Sequence, residues 1–163
     1  MISLKNRSMK MIVYSLYILL IDQISKFLVL SILGFNSSKI IIPNLLNFLL
    51  VKNKGAAFSL FSNSTMLLTF TSVFVSLLLI AILIKFPSRS YWNSLGIVYL
   101  LGGTLGNGTD RLLRGYVLDF LEIVPINFPI FNLADVSINI ALVCFIIDQF
   151  PKGRKSTVIS KNK

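Results

Sequence analysis

Two stretches of this chain, Met66 to Ile84 and Ser90 to Thr109, contain no charged residue. Each approaches the ~20 residues that a helix needs to cross a ~30 Å hydrocarbon layer. Two further stretches are nearly as apolar. Met11 to Leu33 is interrupted by Asp22, Gln23 and Lys26, and Phe131 to Phe150 by Asn132, Asp135, Asn139, Asp148 and Gln149. The pattern predicts a membrane all-α bundle of four transmembrane helices at approximately 11–33, 66–86, 90–112 and 132–150, in a single integral membrane domain over 1–163. Composition agrees, since 55% hydrophobic against 13% charged residues leaves too few charges to dress a water-soluble surface.

The first apolar stretch follows Lys5, Arg7 and Lys10, as a secretory leader would. It is too long for one and no Ala-x-Ala-like cleavage site follows, so it is expected to remain in the mature protein. Sixteen Lys and Arg against six Asp and Glu leave a net charge of +10, which suits an anionic lipid leaflet or nucleic acid; the apolar runs favour the membrane and exclude a nucleic-acid partner. The cations also orient the chain. Lys5, Arg7, Lys10, Lys85, Arg89, Lys152, Arg154, Lys155, Lys161 and Lys163 would share one side, and Lys39, Lys52, Lys54, Arg111 and Arg114 the other. By the positive-inside rule both termini, including a tail over 151–163, are cytoplasmic. Segments at about 35–64 and 113–130 are then extracytoplasmic. In the first, Ile40 to Ile42 and Leu45 to Val51, punctuated by Pro43 and Asn44, predict a small β-containing segment at the interface.

The absence of histidine and the single cysteine remove Ser-His-Asp and Cys-His catalysis, His-ligated zinc and any internal disulfide. Chemistry falls to carboxylates, Lys, Ser, Thr or Tyr. Asp22 and Lys26 stand four residues apart, share a helical face and are expected to pair, as a clasp between helices or as a functional charge. Asp110, beside Arg111 and one turn before Arg114, is expected to be a neutralised scaffold. Gly102 and Gly106 make a small-xxx-small step for close helix approach. Asp148 is expected to pair with Lys152, and Glu122 to sit solvated in a loop.

Asp119 and Asp135 differ from these. Both lie between Gly115 and Pro151, where no Lys or Arg occurs, among Val117, Leu118, Phe120, Leu133 and Ala134, and both fall on the outer side. Two carboxylates at a semi-apolar, water-accessible boundary are what aspartyl hydrolysis requires: one ionised to take a proton from water, one protonated to polarise the scissile carbonyl. A competing reading has Asn132 and Asp135 as an N-capping box at the head of the fourth helix.

Five ordered blocks then resemble the lipoprotein signal peptidases (signal peptidase II): Asp22-Gln23-Ile24-Ser25-Lys26, Asn53-Lys54-Gly55-Ala56-Ala57-Phe58, Gly106-Asn107-Gly108-Thr109-Asp110-Arg111, Gly115-Tyr116-Val117-Leu118-Asp119-Phe120 and Phe131-Asn132-Leu133-Ala134-Asp135. Lys52, where the family often has Arg, is the one departure. The resemblance implies a polytopic aspartyl endopeptidase of the bacterial cytoplasmic (inner) membrane, monomeric and without metal or cofactor. Its catalytic pair would be Asp119 and Asp135; Asn53, Gly55, Asn107, Arg111 and Asn132 would border the substrate, and Asp22, Lys26 and Asp110, with Arg111, would support the site. The implied substrate is a diacylglyceryl-prolipoprotein, held at the outer interface by its acyl chains and cut on the amino side of the lipidated cysteine. Three other readings compete. Ser25 and Lys26 as a protease dyad point ~100° apart on a helix. A transporter using Asp22, Lys26 and Asp110 would need acids along a path across the membrane, and a metal hydrolase would recruit Asp119, Glu122 and Asp135.

Overall fold

The computed structural model describes residues 2–55, 64–86, 90–126 and 128–150. Ala56, Ala57, Phe58, Arg89 and the tail cations from Lys152 onward lie outside the described residues, as does the expected Asp148–Lys152 pair.

Four helices and three strands follow in the order α1 (Ile2–Ile32), β1 (Ser38–Ile42), β2 (Leu46–Asn53), α2 (Thr65–Lys85), α3 (Tyr91–Arg114), β3 (Val117–Ile123) and α4 (Leu133–Gln149). Helix α1 begins nine residues before the expected start at Met11, because Lys5, Arg7 and Lys10 are good helix formers and nothing before Met11 breaks the turn. The other three helices match their expected ranges to within a residue or two.

Among the described residues, Asn6–Ile32 and Thr65–Lys85 are long and apolar enough to cross a membrane. The uncharged run in α3 is not among the helices that qualify. Its glycines, serine, asparagines and threonines dilute its hydropathy, and the reason is position: α3 is the centre of the bundle, packed by α1, α2 and α4. Small residues let those neighbours approach. A Cβ at Gly102 would come within 2.6 Å of Ile18, one at Gly103 within 2.5 Å of the Ala134 carbonyl, and one at Gly106 within 2.7 Å of an Asp22 carboxylate oxygen.

The sheet has the order β1-β2-β3, antiparallel throughout. The β1–β2 turn at Pro43 and Asn44 uses Asn44 in the left-handed region, φ 59°. Strand β3 is a correction: the segment after Arg114 was expected to be a loop. Gly115, at φ 74°, ends α3 in a left-handed cap, with its N–H donating to the Arg111 carbonyl at 3.0 Å, and turns the chain straight into β3. Strand β3 is buried over Val117 to Phe120 and shows no alternation to betray a strand, because protein covers both of its faces. Glu122 consequently lies half-buried in a strand, accepting a hydrogen bond from the Asn47 side chain opposite it at 3.0 Å.

Two apolar clusters flank the middle of the bundle. Met11, Leu79, Leu83, Ile97, Val98 and Leu101 pack one half. Val29, Leu50, Leu118 and Phe120 pack beneath the sheet, with Phe48 edge-on to Phe120 at 5.5 Å between centroids.

Candidate active site

Between those clusters the chain buries its charges. Asp22, Lys26 and Asp110 are fully buried. Lys26 Nζ lies 2.8 Å from Asp22 Oδ2, the expected pair, and 2.9 Å from Asp110 Oδ2, a partner 84 positions away that local spacing does not announce. Asp110 also meets Arg114, one turn on, and accepts from the Leu118 N–H at 3.2 Å, tying the head of β3 to α3. Arg111, the other expected partner, points elsewhere. Asp22 Oδ1 accepts from the Ala134 N–H at 2.9 Å and so holds the first turn of α4 against α1. Gln23, whose role was not foreseen, donates to Asp22 and to the Gly106 carbonyl. A carboxamide beside a buried acid was the available signal.

This network carries the next layer. The third donor of Lys26 reaches Asn107 Oδ1 at 3.2 Å, and Asn107 Nδ2 donates to Asp135 Oδ1 at 2.8 Å. Asn132 Nδ2 donates to Asn107 Oδ1 at 3.0 Å, to Asp119 Oδ1 at 2.6 Å and to the Leu118 carbonyl at 3.3 Å. The second Asp119 oxygen accepts from Asn53 Nδ2 at 2.8 Å. That contact follows from register: Val51 faces Asp119 across the sheet, and Asn53, two residues on, is the diagonal neighbour on the same face.

The capping reading of Asp135 is also present. Asn132 Oδ1 accepts from the Asp135 N–H at 3.0 Å, and Asp135 Oδ2 accepts from the Asn132 N–H at 3.2 Å. One half of each side chain caps α4 while the other half, Asn132 Nδ2 and Asp135 Oδ1, faces the site. The two readings of Asp135 are compatible, and the cap fixes the carboxylate's orientation.

Of the remaining expected residues, Arg111 Nη2 donates to the Gly55 carbonyl at 3.1 Å, and the Gly55 N–H donates to Asn53 Oδ1 at 2.9 Å. Gly55 thus spends its backbone groups inside the protein. Arg111 Nε is buried without a hydrogen-bond partner. Glu122 is not brought to the pair. It lies three residues from Asp119 along a strand, on the opposite face, and the three acids of a metal-hydrolase reading do not assemble.

Electrostatics separate Asp119 from an ordinary carboxylate. Burial pushes its pKa up to about 6, the charge of Asp135 adds to the rise, and the hydrogen bonds from Asn53 and Asn132 and the charge of Lys26 work against it. Cations absent from the neighbouring sequence are supplied by α1 and α3.

Comparison with known proteins places this arrangement. The signal peptidase (SPase) II family model matches residues 14–151. The lipoprotein signal peptidase of Parasynechococcus marenigrum (strain WH8102) is 45% identical over 131 residues, covering 80% of this chain and 82% of its own. That of Nostoc punctiforme (strain ATCC 29133 / PCC 73102) is 39% identical over 154 residues, covering 94% and 96%. A bacterial membrane enzyme solved by the in meso method at 2.3 Å superposes with a TM-score of 0.79 at 28% identity, covering 90% of this chain and 94% of that one. With its buried ion network, its paired asparagines and these relatives, the chain belongs to the signal peptidase II family.

Proposed function

We propose that Asp119 and Asp135 are the catalytic pair with which this signal peptidase II removes signal peptides from prolipoproteins. The observation that carries the assignment is the hydrogen-bonded chain Asp119–Asn132–Asn107–Asp135, which holds two carboxyl groups from different elements in one polar site. Asp119, raised to about 6, keeps a proton to higher pH than a solvated acid and is the member suited to donate to the scissile carbonyl oxygen. Asp135 takes a proton from the attacking water as the tetrahedral intermediate forms and gives it to the leaving nitrogen as the C–N bond breaks, while Asp119 takes back its proton from the intermediate as the carbonyl re-forms. Asn53 and Asn132 orient Asp119, and Asn107 and the helix cap orient Asp135. Arg111 Nε is a buried donor with capacity left for a substrate carbonyl.

The bilayer frame is part of the same proposal. All four helices span the membrane, with the sheet and the catalytic pair at the outer interface and both termini in the cytoplasm. Supporting this, the helices turn large apolar side chains outward, Phe27 66% and Phe74 67% exposed, while Asp22, Lys26 and Asp110 face inward. A protein so inverted is solvated by lipid. The substrate is a precursor whose cysteine carries diacylglyceryl, anchored at the level of the pair and cut on the amino side of that cysteine, and the enzyme acts as a monomer. Membranes containing the chain are expected to cleave a lipidated precursor and to leave its unlipidated form intact. Equal cleavage of both would overturn the lipid requirement, and undiminished cleavage by Asp119→Asn would overturn the pair.

A further inference from the structure

Helix α1 runs alongside α3, from the Arg7–Ser94 hydrogen bond near one end to the Lys26–Asp110 ion pair near the other. Toward its N-terminal end it packs on α2, where Ser8 Oγ donates to the Leu83 carbonyl and Met11 meets Leu79 and Leu83; toward its C-terminal end it packs on α4, where Asp22 accepts from Ala134. An apolar groove of about 340 Å³ lies between α1 and α3, on the half of the bundle away from Asp119 and Asp135. It is lined among others by Tyr14, Ile18, Leu95, Val98 and Tyr99. Its floor is hydrocarbon, and its mouth is not. At the end where α3 begins, Tyr91 lines the groove, and the half-buried Arg7 side chain reaches its edge, Nη2 donating to the Oγ of Ser94, another lining residue, at 2.9 Å. Lys10 is exposed one turn on. The one acid described at this end, Asp148, is engaged by Ser90.

We infer that this groove is a binding site for one anionic phospholipid of the cytoplasmic leaflet. An acyl chain lies along Ile18, Leu95, Val98 and Tyr99, and the phosphate sits at Arg7 and Lys10. Charge selects the occupant: two cations flank an apolar slot at the level where headgroups lie, and juxtamembrane Lys and Arg favour anionic lipid over neutral lipid. The guanidinium of Arg7, held beside the mouth by Ser94, suits bidentate contact with a phosphate. Tyr91 at the mouth is a residue type whose apolar ring and polar hydroxyl suit the membrane interface. The inference rests on α1 and α3 being membrane spans and not on the catalytic assignment.

The chain carries its own reporter. Trp92, the single tryptophan, follows Tyr91, and the two rings lie 5.4 Å apart edge-to-face. Full-length protein in phosphatidylcholine nanodiscs, with brominated phosphatidylglycerol or brominated phosphatidylcholine substituted in steps, reads occupancy as quenching of Trp92. Brominated phosphatidylglycerol is expected to quench at a mole fraction lower by about fivefold or more, the effect of at least one cation near an anionic lipid. Arg7→Gln with Lys10→Gln should erase the preference and keep the neutral-lipid quenching, Arg7→Lys should retain most of it, and Leu95→Phe should weaken it by filling the slot. Asp119→Asn should quench as the unaltered protein does, which separates this site from the catalytic one. Equal quenching by the two lipids, or a preference surviving the double glutamine change, would overturn the inference. So would relief of quenching by an added signal-sequence peptide, which would make the groove part of the substrate path.

Discussion

Asn132 donates its side-chain amide to the Oδ1 of Asn107 at 3.0 Å, one link in a network that joins two carboxylates lying on different elements. The Asn132 side-chain amide holds Asp119 and its backbone N–H holds Asp135, while Asn107 holds the other Asp135 oxygen. Neutral amides orient the acids without adding charge.

Asp119→Asn and Asp135→Asn are each expected to lower cleavage by about 10²-fold or more while leaving membrane insertion and abundance nearly unchanged, since each removes one proton-transfer group at constant shape. Asp148→Asn should keep most of its activity, because its carboxylate engages Ser90 at the far end of the bundle. Precursor cleavage in isolated membranes measures all three, and near-normal turnover by Asp135→Asn would reduce that residue to a helix cap.

Activity should be bell-shaped in pH. A pair that must carry one proton fails when both groups are protonated at low pH and when both are ionised at high pH. Asp119 loses its proton as pH rises through about 6, so the alkaline limb falls from there upward. The Asn53 hydrogen bond favours the ionised form of Asp119. Asn53→Ala is therefore expected to move the alkaline limb to higher pH; a limb that stays in place or moves down would dissociate it from Asp119.

Lys26→Ala leaves Asp22 and Asp110 buried and facing the vacated site, and should cost about 3 kcal/mol or more of stability. Asp22→Ala also releases the Ala134 N–H, so it should loosen α4 as well. Combined, the two changes should be less harmful than the two losses added. Thermal unfolding in detergent gives the cycle, and strict additivity would mean that the pair is not coupled.

Chelation by EDTA should leave cleavage unchanged, because the proposed proton transfers need no cation and Glu122 is turned away from the pair. Loss of activity restored by a divalent ion would reinstate a metal-assisted reaction.

Topology is tested by labelling. With Cys144 replaced, a label that cannot cross the membrane should reach Ser37→Cys, in the exposed turn before β1, and fail to reach Lys85→Cys, at the end of α2, until the membrane is permeabilised. The reverse pattern would put the sheet and the proposed catalytic pair on the cytoplasmic side.

What the sequence determined by itself was local. Uncharged runs of bilayer length marked helices, Asn44 after Pro43 marked a turn, Asp22 and Lys26 at helical spacing marked a pair, and Asn132 with Asp135 marked a cap, each decided by residues within one or two turns of one another. Tertiary structure decided the rest. Strand β3 was hidden because covering both faces of a strand erases the alternation by which strands are recognised. The Lys26–Asp110 contact, the diagonal from Asn53 to Asp119 and the link from Asn107 to Asn132 depend on how α1 and α4 cross α3 and on the register of the sheet. No spacing along the chain encodes those, because they are set by which small residues let two backbones close to contact, and Gly103 and Gly106 show where that happens.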